Sequence, residues 1–253
     1  IRDRCLTLFL FLCAICLQAQ DVETIFSQAN KNYNLGSYEE ALKGYDSIVQ
    51  LGVHSSELYF NMGNAHYKLN RIAPSIFNYE KAQLLDPANE DIQHNLRFAQ
   101  NMTIDVIEEL PANAIDSFVA GLSGAFSLPF WSVLIIALFA LACFSFVAYV
   151  QRSQSQQKRR FFALSLLLGI LSLSSFGLAL DKQFRDVHQL EAVIFAQTTD
   201  FRSEPNLRSE VLVQLHEGTK VIVEDQVEQW VKVRLANGTV GWLTQSDVKR
   251  IAF

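Results

Sequence analysis

Cysteine is scarce in this sequence and is confined to apolar runs. The four cysteines are Cys5, Cys13, Cys16 and Cys143. The long polar stretches on either side of Cys143 therefore contain no thiol for a disulfide, a nucleophile or a metal ligand. These stretches must build their cores without a covalent cross-link.

Motifs that carry enzyme chemistry are also absent. The sequence has neither a phosphate-binding P-loop nor a Gly-x-Ser-x-Gly nucleophile turn. Its histidines are scattered without metal-ligand spacing, at His54, His66, His94, His188 and His216. We therefore expect a protein that is not an enzyme and that holds no cofactor and no metal.

Charge is missing from two long runs. No charged residue lies between Asp116 and Arg152, and none lies between Arg160 and Asp181. The apolar parts, 129–150 and 161–180, are each about 20 residues long, enough for a helix to cross the roughly 30 Å hydrocarbon core of a bilayer. The alternative is a pair of buried helices in a soluble core. Two transmembrane helices are favoured because neither run leaves a polar face for water.

The segment between these runs, 151–160, has four cations and no anion. Positively charged loops stay in the cytoplasm, so we predict a cytoplasmic loop here. Both flanks, 1–128 and 181–253, then lie on the opposite face of the bacterial inner (cytoplasmic) membrane. This predicts two spans with both termini in the periplasm.

The first 20 residues favour the same topology. Residues 1–20 start with Arg2 and Arg4, continue with an apolar run to Leu17 and end in Gln18-Ala19-Gln20. This pattern is typical of a secretory signal peptide, and the run is too short for a membrane span. We expect an exported amino terminus.

Residues 21–110 contain a repeat of 34 residues. A shift of 34 places Asn30 on Asn64, Tyr33 on Tyr67 and Tyr45 on Tyr79, and small residues coincide where helices would cross. This pattern resembles the tetratricopeptide repeat family, in which each unit is a helical hairpin. We predict repeats over about 22–55 and 56–89, followed by a capping helix over 90–105.

The resemblance implies that the first helix of each repeat lines a concave, peptide-binding groove. Amide side chains there suit an extended peptide because they both donate and accept hydrogen bonds, whereas the alternative is an ordinary solvated helix surface. Some members clamp a carboxylate with cations, but the matching positions here hold Phe26, Asp91 and Asn95, so the resemblance does not predict that clamp. The groove positions carried over are Asn30, Tyr33, Phe60, Asn61, Asn64, Tyr67, His94, Asn95 and Phe98.

Residues 111–128 connect the repeats to the first span. Apolar residues recur there at helical spacing, as at Ile115, Phe118 and Leu122, but two glycines interrupt the pattern. The segment is therefore either a linker or an amphipathic helix at the membrane surface.

Residues 190–253 switch to an apolar period of two, which is typical of strands. Strands are predicted at 192–195, 211–215, 220–223, 230–235 and 240–243. A tight hairpin turn is predicted at Asn237-Gly238. Short strands joined by tight turns predict a small β-barrel. The fold class is thus multidomain α plus β: a helical hairpin array, two transmembrane helices and the barrel.

The barrel sequence resembles the bacterial SH3-type domain, notably at 216–221, 230–234 and 241–243. Eukaryotic relatives grip proline-rich peptides with a Pro and a Tyr, where this chain has Thr244 and Asp247. The resemblance therefore implies no polyproline binding. Trp230 and Trp242 are expected to pack in the core or rim of the barrel.

The order of these modules resembles the BatE family of the Bat (Bacteroides aerotolerance) operons. That resemblance implies partners among membrane-anchored von Willebrand factor A-domain proteins and a MoxR-type ATPase system. Neither soluble part has a basic stripe, so nucleic acid is not an expected partner. We expect a membrane scaffold that displays protein-binding modules in the periplasm. The alternative is a cell-wall anchor whose SH3-type domain binds peptidoglycan.

Overall fold

The computed structural model describes residues 21–108, 113–188 and 190–252. The predicted signal peptide at 1–20 lies outside these ranges. The chain divides into two compact units. Of the described residues, one unit combines 21–108 with 190–252, and the other is 113–188.

The amino-terminal part of the first unit is a helical array. Ser55 and Asn89 start two of its helices, because their side chains accept hydrogen bonds from backbone N–H groups of the first turn. Gly36 and Gly52, both with positive φ, follow helix ends. The helices are α1 (residues 21–34), α2 (Tyr38–Gln50), α3 (Ser56–Lys68), α4 (Ile72–Leu85) and α5 (Glu90–Gln100).

Small residues set the close approach of these helices. A Cβ added to Gly44 in α2 would come within 2.9 Å of the Ala29 Cβ in α1. A Cβ added to Gly63 in α3 would come within 2.6 Å of the Tyr79 ring in α4. Ala29 and Ser75, two of the small residues aligned by the 34-residue shift, are 1% and 0% exposed. The 34-residue repeat thus places small residues where neighbouring helices contact each other.

The carboxy-terminal part of this unit is a seven-stranded antiparallel sheet in the order β3-β2-β6-β5-β4-β1-β7. Its core side chains include Ile194, Phe201 and Val231, each 0% exposed. β2 and β7 were not among the predicted strands, because both are short and carry few apolar residues. The strands are β1 (Leu190–Ile194), β2 (Thr198–Arg202), β3 (Val211–His216), β4 (Lys220–Val227), β5 (Trp230–Arg234), β6 (Val240–Thr244) and β7 (Val248–Arg250).

Two predictions about individual barrel residues can be checked here. Gly238 has a φ of +81°, as the predicted tight turn requires, and the Asn237 side chain accepts a hydrogen bond from Thr239 N–H. Trp230 is buried, whereas Trp242 is half-buried. The burial of Trp230 agrees with the packing role expected of it.

The barrel packs directly against α4 and the end of the array. Phe77 of α4 meets Phe195 edge to face, with ring centroids 5.5 Å apart. Val193 and Ile251 from the barrel join one buried cluster with Ile76 and other array residues. The sequence predicts the helical array and the barrel as separate modules, but in the structure they share one hydrophobic core.

Ion pairs and hydrogen bonds border this shared core. The Lys220 ammonium lies 2.9 Å from the carboxylates of both Glu80 and Glu191. Asp105 accepts hydrogen bonds of 2.6 Å from His216 N–H and from the Thr219 hydroxyl. The turn between β3 and β4 is thereby held against the array.

The second unit contains α6 (Ala114–Gly124), α7 (Leu128–Gln151) and α8 (Ser155–His188). α7 and α8 are long and apolar enough to cross a membrane, and only 6% and 11% of their most apolar stretches are buried. Ser145 and Ser172 donate hydrogen bonds to backbone carbonyls of the facing helix. These bonds join α7 and α8 into a hairpin.

One part of this unit differs from the sequence-based expectation, and a second part matches one of the two alternatives left open for it. α8 already begins at Ser155, so only residues 152–154 separate the helices, and Lys158, Arg159 and Arg160 lie on α8. The predicted 151–160 loop contains no Pro or Gly to stop a helix. Residues 114–124 are helical, with Ile115 and Phe118 about 70% exposed. Residues 109–112 lie outside the described ranges.

Candidate functional site

A hydrogen-bonded triad of one tyrosine and two asparagines occurs twice in the array. The Asn30 side-chain oxygen accepts from the Tyr45 hydroxyl at 2.7 Å and from the Asn61 amide at 3.1 Å. The same arrangement, 34 residues later, joins Tyr79, Asn64 and Asn95.

In this second triad the Asn64 oxygen accepts from the Tyr79 hydroxyl at 2.6 Å and from the Asn95 amide at 2.9 Å. Burial raises the pKa of Tyr45 to about 12, and it raises the pKa of Tyr79 as well. Both hydroxyls therefore keep their protons at neutral pH and act as donors. The four asparagines, expected to face a ligand, are thus partly engaged in packing adjacent helices together.

One cavity of about 330 Å³ lies beside the second triad. Its walls come from α1, α3, α4 and α5, so residues far apart in sequence meet around it. Tyr67 and Phe98 are 36% and 49% exposed, and both are accessible to a ligand. The lining residues are Tyr33, Asn64, Tyr67, Lys68, Tyr79, Asn95 and Phe98.

Five predicted groove residues line this cavity, while four lie elsewhere. Asn30 and Asn61 belong to the first triad. Phe60 packs against the Tyr79 ring, with centroids 5.9 Å apart. His94 does not line the cavity but meets the lining residue Phe98 edge to face, with ring centroids 4.6 Å apart.

Lys68 lines the cavity but was not among the predicted groove residues. It sits in the last turn of α3, and the equivalent positions in the neighbouring units are Asn34 and Met102. Because the residue type does not recur, the 34-residue repeat does not predict Lys68 as a groove residue. Only the folded array shows that the Lys68 side chain lines the same cavity as Asn64 and Phe98.

A second cavity, of about 340 Å³, lies on the barrel. The Asp247 carboxylate accepts from the Thr199 hydroxyl at 2.6 Å and from the Thr244 hydroxyl at 2.5 Å. Arg202 pairs with Asp200 at 2.6 Å. Thr244 and Asp247, which stand where eukaryotic relatives have a Pro and a Tyr, thus form part of a polar hydrogen-bond network. The lining residues are Thr198, Thr199, Asp200, Arg202, Leu207, Gln214, Trp230, Thr244 and Asp247.

Metal-ligating side chains do not converge within the described parts of the chain. No group of three His, Cys, Asp or Glu residues in 21–108, 113–188 and 190–252 could hold a metal ion. The chemistry of the two cavities is that of hydrogen bonding, charge and aromatic contact.

Comparison with known families identifies one part of the chain. Residues 198–249 match the family model of the bacterial SH3 domain, which confirms the SH3-type domain predicted from the sequence. A comparison with curated proteins finds no match. The chain therefore carries a bacterial SH3 domain, a class suited to binding protein or cell wall, beside a helical region and two apolar helices.

Proposed function

We propose that this protein is a non-enzymatic scaffold anchored in the bacterial inner membrane by α7 and α8. Its helical array and SH3 domain act as one recognition unit, and a segment of a partner protein lies in the groove of the array. The observation that carries this proposal is the cavity built by four helices around Asn64, with Tyr67 and Phe98 accessible beside it.

The topology we propose has both flanks of the hairpin in the periplasm. The contacts of Glu80 with Lys220 and of Asp105 with His216 support this, because residues before and after the hairpin belong to one folded unit. Such a unit requires both flanks on the same side of the membrane. The cations near the turn between α7 and α8 favour a cytoplasmic turn.

We also propose that the array is a tetratricopeptide domain and that the protein acts within a Bat-type membrane complex. The 34-residue spacing of the two triads supports the repeat assignment. The order of the modules supports the likeness to the BatE family. On this proposal the partners are von Willebrand factor A-domain proteins and a MoxR-type ATPase system.

A second function is favoured by the barrel cavity. Bacterial SH3 domains suit cell-wall as well as protein ligands, and the cavity presents Asp200, Arg202 and Gln214 as hydrogen-bonding groups. The alternative proposal is therefore a peptidoglycan anchor that acts through this cavity. Sedimentation of the intact protein with purified sacculi tests it.

The main proposal is tested with the intact protein extracted in mild detergent, followed by identification of copurifying proteins by mass spectrometry. A Tyr67→Ala/Phe98→Ala variant removes accessible aromatic surface from the groove. A Leu207→Ala/Gln214→Ala variant is the matched control, because it alters two exposed residues of the barrel cavity. We expect partner recovery to fall in the groove variant and to persist in the control.

The melting temperature of each variant separates lost binding from lost folding. Partner loss in the barrel variant alone would move the binding site to the SH3 domain. The cell-wall anchor would be favoured if the wild type binds sacculi, the barrel variant does not, and no protein copurifies.

A further inference from the structure

We infer that the array cavity selects a carboxylate next to an apolar side chain in the bound peptide. This inference rests on the proposed groove function and names the ligand chemistry of that site. It differs from what the family resemblance implies, since the expected clamp positions hold Phe26, Asp91 and Asn95.

Charge is the first argument. Among the described residues that line the cavity, Lys68 is the only charged one, and none is acidic. Two other cations of the array are paired, Lys43 with Glu40 and Arg71 with Glu39. Lys68 makes no ion pair or hydrogen bond with any residue in the described ranges. An unpaired ammonium gives the cavity a local positive charge, which favours an anion.

Two polar groups of the cavity, on Asn64 and Lys68, have only hydrogen-bond donors to offer a ligand. The Asn64 oxygen already accepts from Tyr79 and Asn95, so this amide has only N–H groups left to offer. The Lys68 ammonium likewise only donates. A carboxylate, which only accepts, matches both groups. The free Asn95 oxygen can accept a backbone N–H of the same peptide.

The aromatic walls supply the apolar half of the site. Tyr67 and Phe98 expose ring surface at the cavity, and Tyr33 completes the wall from α1. A volume of about 330 Å³ is at the small end of the roughly 300–1,000 Å³ typical of ligand pockets. It therefore accommodates a short stretch of peptide rather than a folded surface.

The carboxylate could belong to an acidic side chain or to a chain terminus, and one experiment distinguishes these sources. Intact detergent-solubilised protein is applied to an array of random octapeptides made in two orientations, with the carboxy terminus either blocked or free. Enrichment of Asp or Glu beside an apolar residue in blocked peptides identifies a side chain. Binding that requires the free terminus identifies a terminal carboxylate.

Substitutions at Lys68 test the role of its charge. Lys68→Arg should keep the selected motif, and Lys68→Gln should weaken binding of the acidic peptides about fivefold, as expected for an exposed ion pair. Lys68→Glu should shift selection towards Lys and Arg. The melting temperatures should remain unchanged, because Lys68 is exposed and makes no contact that holds helices together.

Failure of this inference is distinguishable from failure of the proposed function. If all Lys68 variants select the same peptides as the wild type, and Tyr67→Ala/Phe98→Ala abolishes binding, the groove function stands and carboxylate selection is wrong. If the aromatic variant also selects the same peptides with equal affinity, the groove is not the binding site and both proposals fall.

Discussion

Each triad in the array places a tyrosine hydroxyl and two amides at a junction between helices. The Tyr79 ring fills the space opened by Gly63, and its hydroxyl reaches the Asn64 oxygen. Asn95 then ties α5 to the same oxygen. A buried hydroxyl needs such a partner, since leaving it unpaired costs about 1–3 kcal/mol. Asn64 and Asn95 therefore hold helices together as well as line the cavity.

We predict that Asn64→Ala lowers the free energy of unfolding by about 1–3 kcal/mol, because the buried Tyr79 hydroxyl loses its acceptor. Urea unfolding of the detergent-solubilised protein, followed by tryptophan fluorescence, measures the change. The same substitution in a Tyr79→Phe background should cost clearly less, because no hydroxyl is then left unpaired. Equal costs in the two backgrounds would show that the triad contributes no coupling.

His66 is a titratable group that the groove does not use. Its Nδ1 atom is buried and has no hydrogen-bond partner within the described residues. Burial, together with the nearby Arg71 guanidinium, lowers the pKa of His66 from 6.5 to about 4. Between these pH values the unfolded chain binds more protons than the folded one, so stability must fall as the pH falls.

We predict that acidification from pH 6.5 to pH 4.5 destabilises the wild type by about 2 kcal/mol more than the His66→Gln variant. Glutamine does not titrate, so it removes this proton-linked loss and leaves the other titrating groups in place. Urea unfolding at several pH values gives the difference. Parallel stability profiles for the two proteins would contradict the low pKa of His66.

At the scale of elements, the turn between β3 and β4 joins the barrel to the array. Burial raises the pKa of Glu80 more than the Lys220 ammonium lowers it. Burial would lower the pKa of Lys220, but Glu80 and Glu191 outweigh burial and raise it. Burial would also raise the pKa of Asp105, yet hydrogen bonds from Thr219 and His216 lower it. The contact at Asp105 therefore weakens below the ordinary aspartate pKa, as its carboxylate takes up a proton.

Gly218 gives this turn both its conformation and its close approach. Its φ is +88°, and an added Cβ would lie 2.8 Å from Thr103 and 3.0 Å from Ile72. Gly36 has a similar φ of +78° with no atom within 4 Å of an added Cβ. The two glycines therefore share the backbone requirement and differ in packing.

We predict that Gly218→Ala lowers the free energy of unfolding by about 1–3 kcal/mol more than Gly36→Ala, because only the former forces the barrel away from the array. Urea unfolding measures the difference. Hydrogen exchange should also increase at the β3–β4 turn in the Gly218→Ala variant alone. Equal losses of stability in both variants would mean that the contact between the barrel and the array accommodates the added methyl group without loss of stability.

For the whole molecule, the apolar hairpin is an insertion within one folded unit. Chain segments on both sides of α7 and α8 supply the shared core, as Ile76 and Val193 illustrate. On the proposed membrane topology, folding of this unit requires that the chain return to the side of the membrane from which it left. Two spans meet that requirement, whereas a single span does not.

We predict the labelling pattern of single cysteines, introduced after the four native cysteines are replaced by serine. In spheroplasts of a bacterial host, Ser47→Cys and Ser246→Cys should react with a membrane-impermeant thiol reagent, whereas Ser155→Cys should be protected until the membrane is permeabilised. Ser47 and Ser246 are exposed and belong to the same unit. Labelling of Ser155→Cys alone would invert the topology, and different labelling at Ser47 and Ser246 would contradict the single unit.

The sequence by itself determined the features that follow from local pattern. Uncharged runs located both apolar helices, alternation and the Asn237-Gly238 turn located the barrel, and the 34-residue period located the small residues between helices. Each follows from backbone geometry and from which side chains avoid water. β2 and β7 escaped notice because short, polar strands give little such pattern.

Only the tertiary structure decided which surfaces meet. Apolar periodicity shows that a face is buried but not against what, since burial of apolar surface is non-directional. The contact of α4 with the barrel, the pairing of Asn64 with Tyr79 and the position of Lys68 in the cavity all depend on residues distant in sequence. Hydrogen bonds and charge then select one partner at each of these places, because they require particular atoms at particular distances.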